Sequence, residues 1–170
     1  MSAPVIVIGV GNPWRGDDGV GAAVAREVAA RLGRREPPPD VEVVEVDGEP
    51  ARLVELWADR DLAVVVDAVV SGAAPGTVRR GDATHRGGPD LGPAPTRSRV
   101  GGSHAVGIAD AVALGRALGR LPARLVAVGV EAAGFAHVAD LALDPRVAAA
   151  VPEAADLVVA EVLGGDGSCA

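Results

Sequence analysis

Short apolar runs alternate with helix-like amphipathic segments along this 170-residue chain. The first run is PVIVIGV (4–10), and after it apolar residues recur every fourth position from Val20 to Leu32, where Gly33 closes the pattern. Strands that alternate with helices are typical of a mostly parallel sheet covered by helices on both faces. The pattern therefore predicts an α/β fold, a three-layer αβα sandwich around a twisted sheet.

The other runs predict where each strand lies in this sheet. VEVVEV (41–46) partly alternates, as an edge strand does, whereas LAVVVDAVV (62–70) is nearly all apolar and fits a central strand. Right-handed crossovers place the second strand on one side of the first strand and the third on the other, and ligands bind where the order reverses. Further strands are predicted at 77–80 and 124–130, and helices at 51–59, from near His104, and from Pro145 to about Leu163.

Composition predicts one domain, residues 1–164, followed by a disordered tail at 165–170. Hydrophobic residues make up 49% of the chain, enough to bury a core, and the net charge is −7. An acidic protein is poorly suited to nucleic acids or anionic membranes, and no apolar run approaches the roughly 20 residues of a membrane span. We expect a cytoplasmic monomer that binds neither nucleic acid nor membrane.

Several catalytic chemistries are excluded by the residues that the chain lacks. It contains no lysine, so it has neither a P-loop lysine nor a Schiff-base amine. Its single cysteine, Cys169, is next to last in the sequence and supports no disulfide framework, zinc knuckle or confident nucleophile. The motifs G-x-S-x-G and H-E-x-x-H are absent as well. A hydrolase of this sequence would have to rely on water.

The segment GVGNPWRGDDGVG (9–21) has the glycines of a nucleotide-binding turn but not its chemistry. Trp14 stands where a dinucleotide fingerprint needs its third glycine, and Asp17 and Asp18 would repel a pyrophosphate from the helix amides. We therefore expect no binding of NAD, FAD or ATP. One of the two aspartates is expected to be the helix N-cap, and Asp17→Asn should spare activity if that residue is Asp17.

Three side chains from distant segments are predicted to meet at the point where the strand order reverses. Asp18 follows the first strand, Asp67 lies near the end of the third, and His104 begins a helix. The positive end of the helix dipole favours a neutral imidazole, and such a ring beside two carboxylates suits nickel or zinc. His85 and His137 lie in loop-like contexts and are expected at the surface.

These motifs resemble those of the endopeptidases that mature nickel–iron hydrogenases. The resemblance is carried by GVGNPWRGDDGVG, by the pair Asp67-Ala68 after the third strand, by GGSHAVGIADAVALGRAL around His104, and by VGVE with the later LDPRV. It extends in the same order from about residue 5 to 163. It implies a roughly five-stranded sheet and an endopeptidase that removes a C-terminal extension from the nickel-loaded precursor of a hydrogenase large subunit.

The resemblance also implies the roles of the site residues. Asp18, Asp67 and His104 fall on the family's metal-contacting and catalytic positions. Nickel would arrive with the substrate, so we expect no permanently bound cofactor and only weak binding of nickel or zinc. Water would attack the peptide bond, with one carboxylate accepting its proton, and either carboxylate is a candidate for that role.

Two features depart from many relatives. DGEP (47–50) replaces D-G-G-T, so that Glu49 and Pro50 put substrate selection in question, and the loop at 82–103 is longer. Two alternatives stay open at this point. One is a nickel-binding chaperone or sensor that uses the same ligands without cleavage, and the other is an unrelated hydrolase on the same sheet.

Overall fold

The computed structural model describes residues 4–36, 38–84, 107–135 and 142–164. Its helices and strands follow the predicted alternation. In chain order they are β1 (Val5–Val10), a 3-10 turn (Gly16–Gly19), α1 (Val20–Leu32), β2 (Val41–Val46), α2 (Pro50–Trp57), β3 (Leu62–Val69), β4 (Val78–Asp82), α3 (Gly107–Ala117), β5 (Arg124–Glu131) and α4 (Pro145–Gly164).

The described strands form a five-stranded sheet in the order β2-β1-β3-β5-β4. The first four of these are parallel, and β4 pairs antiparallel with β5 at the edge. The order reverses between β1 and β3, because the chain adds β2 on one side of β1 and β3 on the other. The predicted fold class, the edge position of β2 and the central position of β3 are confirmed.

Helices cover both faces of the sheet, as the alternation predicted. On one face, α1 and α4 pack on valines such as Val7, Val64 and Val128. On the other face, α2 and α3 pack on the residues of opposite parity, among them Ile8 and Val65. Among the described helices, none is both long and apolar enough to cross a membrane.

Gly21 allows the first turn of α1 to lie directly on the ends of two strands. A Cβ at this position would stand 2.2 Å from the carbonyl oxygen of Val10 and 2.5 Å from that of Val66. Any side chain here would push α1 away from β1 and β3. Gly21 thus takes the packing role that a dinucleotide motif gives to its third glycine, and it holds the preceding turn against the edge of the sheet.

Glu49 is the N-cap residue of α2, which gives the DGEP departure a structural role. Its carboxylate accepts hydrogen bonds from the backbone N–H groups of Ala51 (3.0 Å) and Arg52 (2.8 Å). Pro50 occupies the first turn of the helix, where its missing N–H costs nothing. Glutamate is not among the favoured N-cap residues, and for that reason the cap was not predicted from the sequence.

Removing this cap should weaken the fold measurably. We expect Glu49→Ala to lower the free energy of unfolding by about 1 kcal/mol, because two N–H groups at the start of α2 lose their acceptor. Glu49→Thr, which restores a capping oxygen, should recover most of the loss. Urea unfolding followed by circular dichroism measures both, with the exposed Glu55→Ala on the same helix as the control. Equal stability of Glu49→Ala and the wild type would contradict the assigned cap.

Candidate active site

Asp18 lies buried in the 3-10 turn that separates β1 from α1. Its Oδ2 atom accepts a hydrogen bond from the backbone N–H of Asn12 at 3.0 Å. Gly11 makes this fold possible, since its φ of +130° and the 1.8 Å that would separate a Cβ from the carbonyl oxygen of Asp18 exclude a side chain. The loop therefore wraps around Asp18 and fixes it at the end of β1.

Neither aspartate caps α1, so the expectation that one of them would do so is wrong. The N-cap position of α1 is Gly19, with no side-chain hydrogen bond. The reason is the intervening 3-10 turn, which places Asp17 and Asp18 one turn before the helix starts.

Asp17 instead joins two segments that are far apart in the sequence. The Oδ2 atom of this buried carboxylate accepts hydrogen bonds from the backbone N–H groups of Ala133 (2.8 Å) and Gly134 (3.4 Å). Its Oδ1 atom accepts one from the N–H of Asp144 at 2.7 Å. Asp17 is thus the brace between the β1–α1 loop and the segments that follow β5 and precede α4.

Asp67 lies at the C-terminal end of β3, one residue beyond the Val66 that pairs with Gly9 of β1. Its half-buried carboxylate accepts a hydrogen bond from the N–H of Ala68 at 2.8 Å. Burial, with the negative charge of Asp18 as the second cause, raises the pKa of the Asp67 carboxyl from 3.8 to about 8. The structure therefore brings Asp18 and Asp67 together at the crevice between the ends of β1 and β3.

The third predicted site residue, His104, lies outside the described residues, as do His85, His137 and Cys169. The described part of α3 begins at Gly107, three residues after His104. The helix α3 runs back along the sheet to the start of β5. Its N-terminus therefore lies on the side of the sheet where β1 and β3 have their C-terminal ends. Within the described segments, no three His, Cys, Asp or Glu side chains form a metal-binding group. The proposed three-residue site thus depends on His104.

Glu131 holds the loop that follows Asp67 and its strand. This buried residue at the end of β5 accepts hydrogen bonds from the N–H and hydroxyl of Ser71 (2.8 and 2.7 Å) and from the N–H of Gly72 (2.9 Å). In the sequence, Glu131 stands out only as the last residue of the VGVE motif. Its partners lie about sixty residues away, so nothing local to β5 indicated this role.

A shallow concavity of about 330 Å³ lies between the ends of β1 and β2. Gly11, Asn12 and Pro13 line one side of it, and Glu45, Val46 and Asp47 line the other. Two acidic side chains in its wall are unfavourable for a phosphate. That the glycine-rich turn binds no nucleotide stays a prediction.

Comparison with known proteins identifies the family. A family model described as hydrogenase maturation protease matches residues 24–161, most of the chain. The chain belongs to the hydrogenase maturation protease family. It is accordingly a hydrolase of peptide bonds, and the endopeptidase prediction is supported over the chaperone or sensor.

Solved structures support the same assignment. The hydrogenase maturating endopeptidase HybD from Escherichia coli is 27% identical, with a TM-score of 0.70 over 95% of this chain and 93% of that chain. A further Escherichia coli endopeptidase is 25% identical, with a TM-score of 0.71 over 96% and 93%. A hydrogenase 2 maturation peptidase from a Thaumarchaeota archaeon is 25% identical, with a TM-score of 0.61 over 94% and 97%. No curated protein sequence matches the chain.

Proposed function

We propose that this hydrogenase maturation protease removes a C-terminal extension from the nickel-loaded precursor of a nickel–iron hydrogenase large subunit. The observation that carries the proposal is the pairing of Asp18 and Asp67 at the crevice between β1 and β3, in a chain that belongs to this family. Because both carboxylates come from one chain, we propose that a single copy acts, and we expect it to act in the cytoplasm.

Nickel enters this proposal as part of the substrate. Asp18, Asp67 and His104 would contact the metal that the precursor carries, and this contact would bring the scissile segment into the crevice. Carboxylate and imidazole ligands suit nickel, and a set of three leaves coordination positions for the precursor's own ligands. Without a thiolate, the set should bind the free ion weakly, so that metal marks a precursor that is ready to be processed.

Hydrolysis then needs one water molecule and one carboxylate. The water oxygen bonds to the carbonyl carbon of the scissile peptide while its proton passes to a carboxylate of the Asp18–Asp67 pair. The same carboxyl group returns the proton to the departing amide nitrogen as the C–N bond breaks. The products are a new C-terminal carboxylate on the mature subunit and a released peptide with a free amine.

Cleavage of purified precursor tests the proposal directly. We expect mass spectrometry to show loss of the extension from nickel-loaded precursor and no cleavage of nickel-free precursor. Asp18→Asn and His104→Ala should each slow cleavage at least roughly a hundred-fold, since each removes a group that acts at the reacting centre. His85→Ala is the matched histidine control and should cleave at the wild-type rate.

Two results would contradict the proposal in different ways. Stable capture of nickel from the precursor without cleavage would favour the chaperone. Equal cleavage of loaded and nickel-free precursor would show that nickel does not select the substrate.

A further inference from the structure

Aromatic residues are scarce in this chain, and two of the three are exposed. The composition includes two tryptophans, one phenylalanine and no tyrosine. Trp57, the last residue of α2, is fully buried in the core, whereas 69% of Trp14 and 41% of Phe135 is accessible to solvent. Single exposed apolar side chains are common on protein surfaces, so these two are informative only if they lie in the same part of the surface.

The two exposed aromatic side chains both follow the C-terminal ends of parallel strands, on the same side of the sheet. Trp14 lies in the loop after β1, and Phe135 lies four residues beyond the end of β5. Between these two strands is β3, and the residue directly after it, Val70, is also exposed. Three neighbouring parallel strands are thus each followed by an exposed large apolar side chain. We call Trp14, Val70 and Phe135 the apolar rim, which borders the crevice that holds Asp18 and Asp67.

The loops that carry the apolar rim are braced by buried carboxylates. Asp17, three residues after Trp14, accepts hydrogen bonds from the N–H groups of Ala133 and Gly134, directly before Phe135. Glu131 accepts hydrogen bonds from the backbone of Ser71 and Gly72, directly after Val70. The rim is therefore held in place before any partner binds, and less conformational entropy is lost when it is covered.

We propose that the apolar rim is the docking surface for the folded body of the precursor whose C-terminal segment enters the crevice. This inference rests on the proposed function, because a protein substrate is what places a large surface beside the crevice. Exposed aromatic side chains are the usual anchors of protein interfaces. In the crevice, the two carboxylates would orient the substrate. Apolar contact with the precursor would therefore come from the surface around the crevice.

Other occupants of the rim fit the chain less well. Nucleic acids require a basic surface around their stacking platforms, and this chain carries a net charge of −7. An anionic membrane would be repelled by the same charge. The complementary partner is therefore a protein with an apolar patch beside its cleavage segment.

Steady-state cleavage of the folded, nickel-loaded precursor tests this docking surface. We expect the double variant Trp14→Ala/Phe135→Ala to raise KM at least ten-fold, with a much smaller change in kcat, because the anchors act in binding rather than in bond cleavage. The conservative double variant Trp14→Phe/Phe135→Leu should recover most of the affinity. Thermal unfolding of every variant verifies that the fold is intact.

Leu118→Ala is the matched control. This side chain is 57% exposed, but it lies after α3, on the side of the sheet where the parallel strands begin. Calorimetric titration of each variant with the nickel-free precursor, which is not expected to be cleaved, gives Kd independently of cleavage, so the rim is tested even if the proposed function fails. An unchanged KM and Kd in the double variant, or an equal effect of Leu118→Ala, would overturn the docking surface.

Discussion

Replacing Asp17 with asparagine is expected to lower the free energy of unfolding by about 2–4 kcal/mol, although the two side chains have nearly the same shape. Both carboxylate oxygens of Asp17 accept hydrogen bonds from backbone N–H groups, Oδ2 from Ala133 and Gly134 and Oδ1 from Asp144. In either orientation, the asparagine amide points its own N–H groups at a donor. At least one N–H then loses its acceptor beside a buried side chain.

Thermal unfolding is the measurement, and the transition should fall by roughly 5–15 °C for a domain of this size. Asp18→Asn is the matched control, because Asp18 is the adjacent buried aspartate and, within the described part of the chain, accepts one backbone hydrogen bond, from the N–H of Asn12. We also expect Asp17→Asn to raise KM for the precursor, since the brace orders the loops of the apolar rim. Full stability and unchanged KM would return Asp17 to the minor role that the sequence indicated.

The fold was predictable because the spacing of apolar residues within each segment indicates which of its faces is buried. The apolar period of four from Val20 to Leu32 and the apolar run at 62–70 correspond to α1 and to the central strand β3. Local chemistry also set the start of α4, where Asp144 accepts a hydrogen bond from the N–H of Arg146 and Pro145 follows as the first helical residue.

The two braces were not predictable from the sequence in the same way. Asp17 contacts backbone N–H groups 116 to 127 residues further along the chain, and Glu131 contacts Ser71 and Gly72 about sixty residues before it. Backbone amides are present at almost every residue, so no partner side chain in the sequence marks such a contact. The pairing of Asp18 with Asp67 could be inferred, because strand order alone carries both to one crevice.

The role of Glu49 was missed for a different reason, although its partners are close in the sequence. Its place in DGEP indicated a change in substrate selection, whereas the structure gives its carboxylate two N–H groups of α2. A local contact of this kind leaves a sequence signal only when the residue type is one that usually makes it. Thus strand topology predicted that the two carboxylates proposed to react lie together, while the residues that support them became visible only in the folded chain.

Asp67→Asn is expected to abolish cleavage and to make the protein more stable, by about 1–3 kcal/mol at pH 8 and above. Folding raises the pKa of this half-buried carboxyl from 3.8 to about 8, so the folded state binds the proton more tightly than the unfolded state. The wild type therefore keeps its full stability below about pH 4 and loses part of it progressively as the pH rises to about 8. Asparagine has no proton to lose, and the stability gained by the variant should grow over the same interval.

Urea unfolding of the two proteins between pH 4 and pH 9 measures this difference, with the exposed Asp40→Asn as the control for a surface carboxylate. The stability curves of Asp67→Asn and the wild type should converge near pH 4 and separate towards pH 8, whereas Asp40→Asn should follow the wild type throughout. A gap that stays constant with pH would mean that Asp67 titrates alike in the folded and unfolded chains. A variant less stable than the wild type at pH 8 would mean that the carboxylate stabilises the fold. Separation confined to this interval would instead show that the ionised Asp67 carboxylate destabilises the free protein. That cost is expected of a buried carboxylate whose role is to contact a cation.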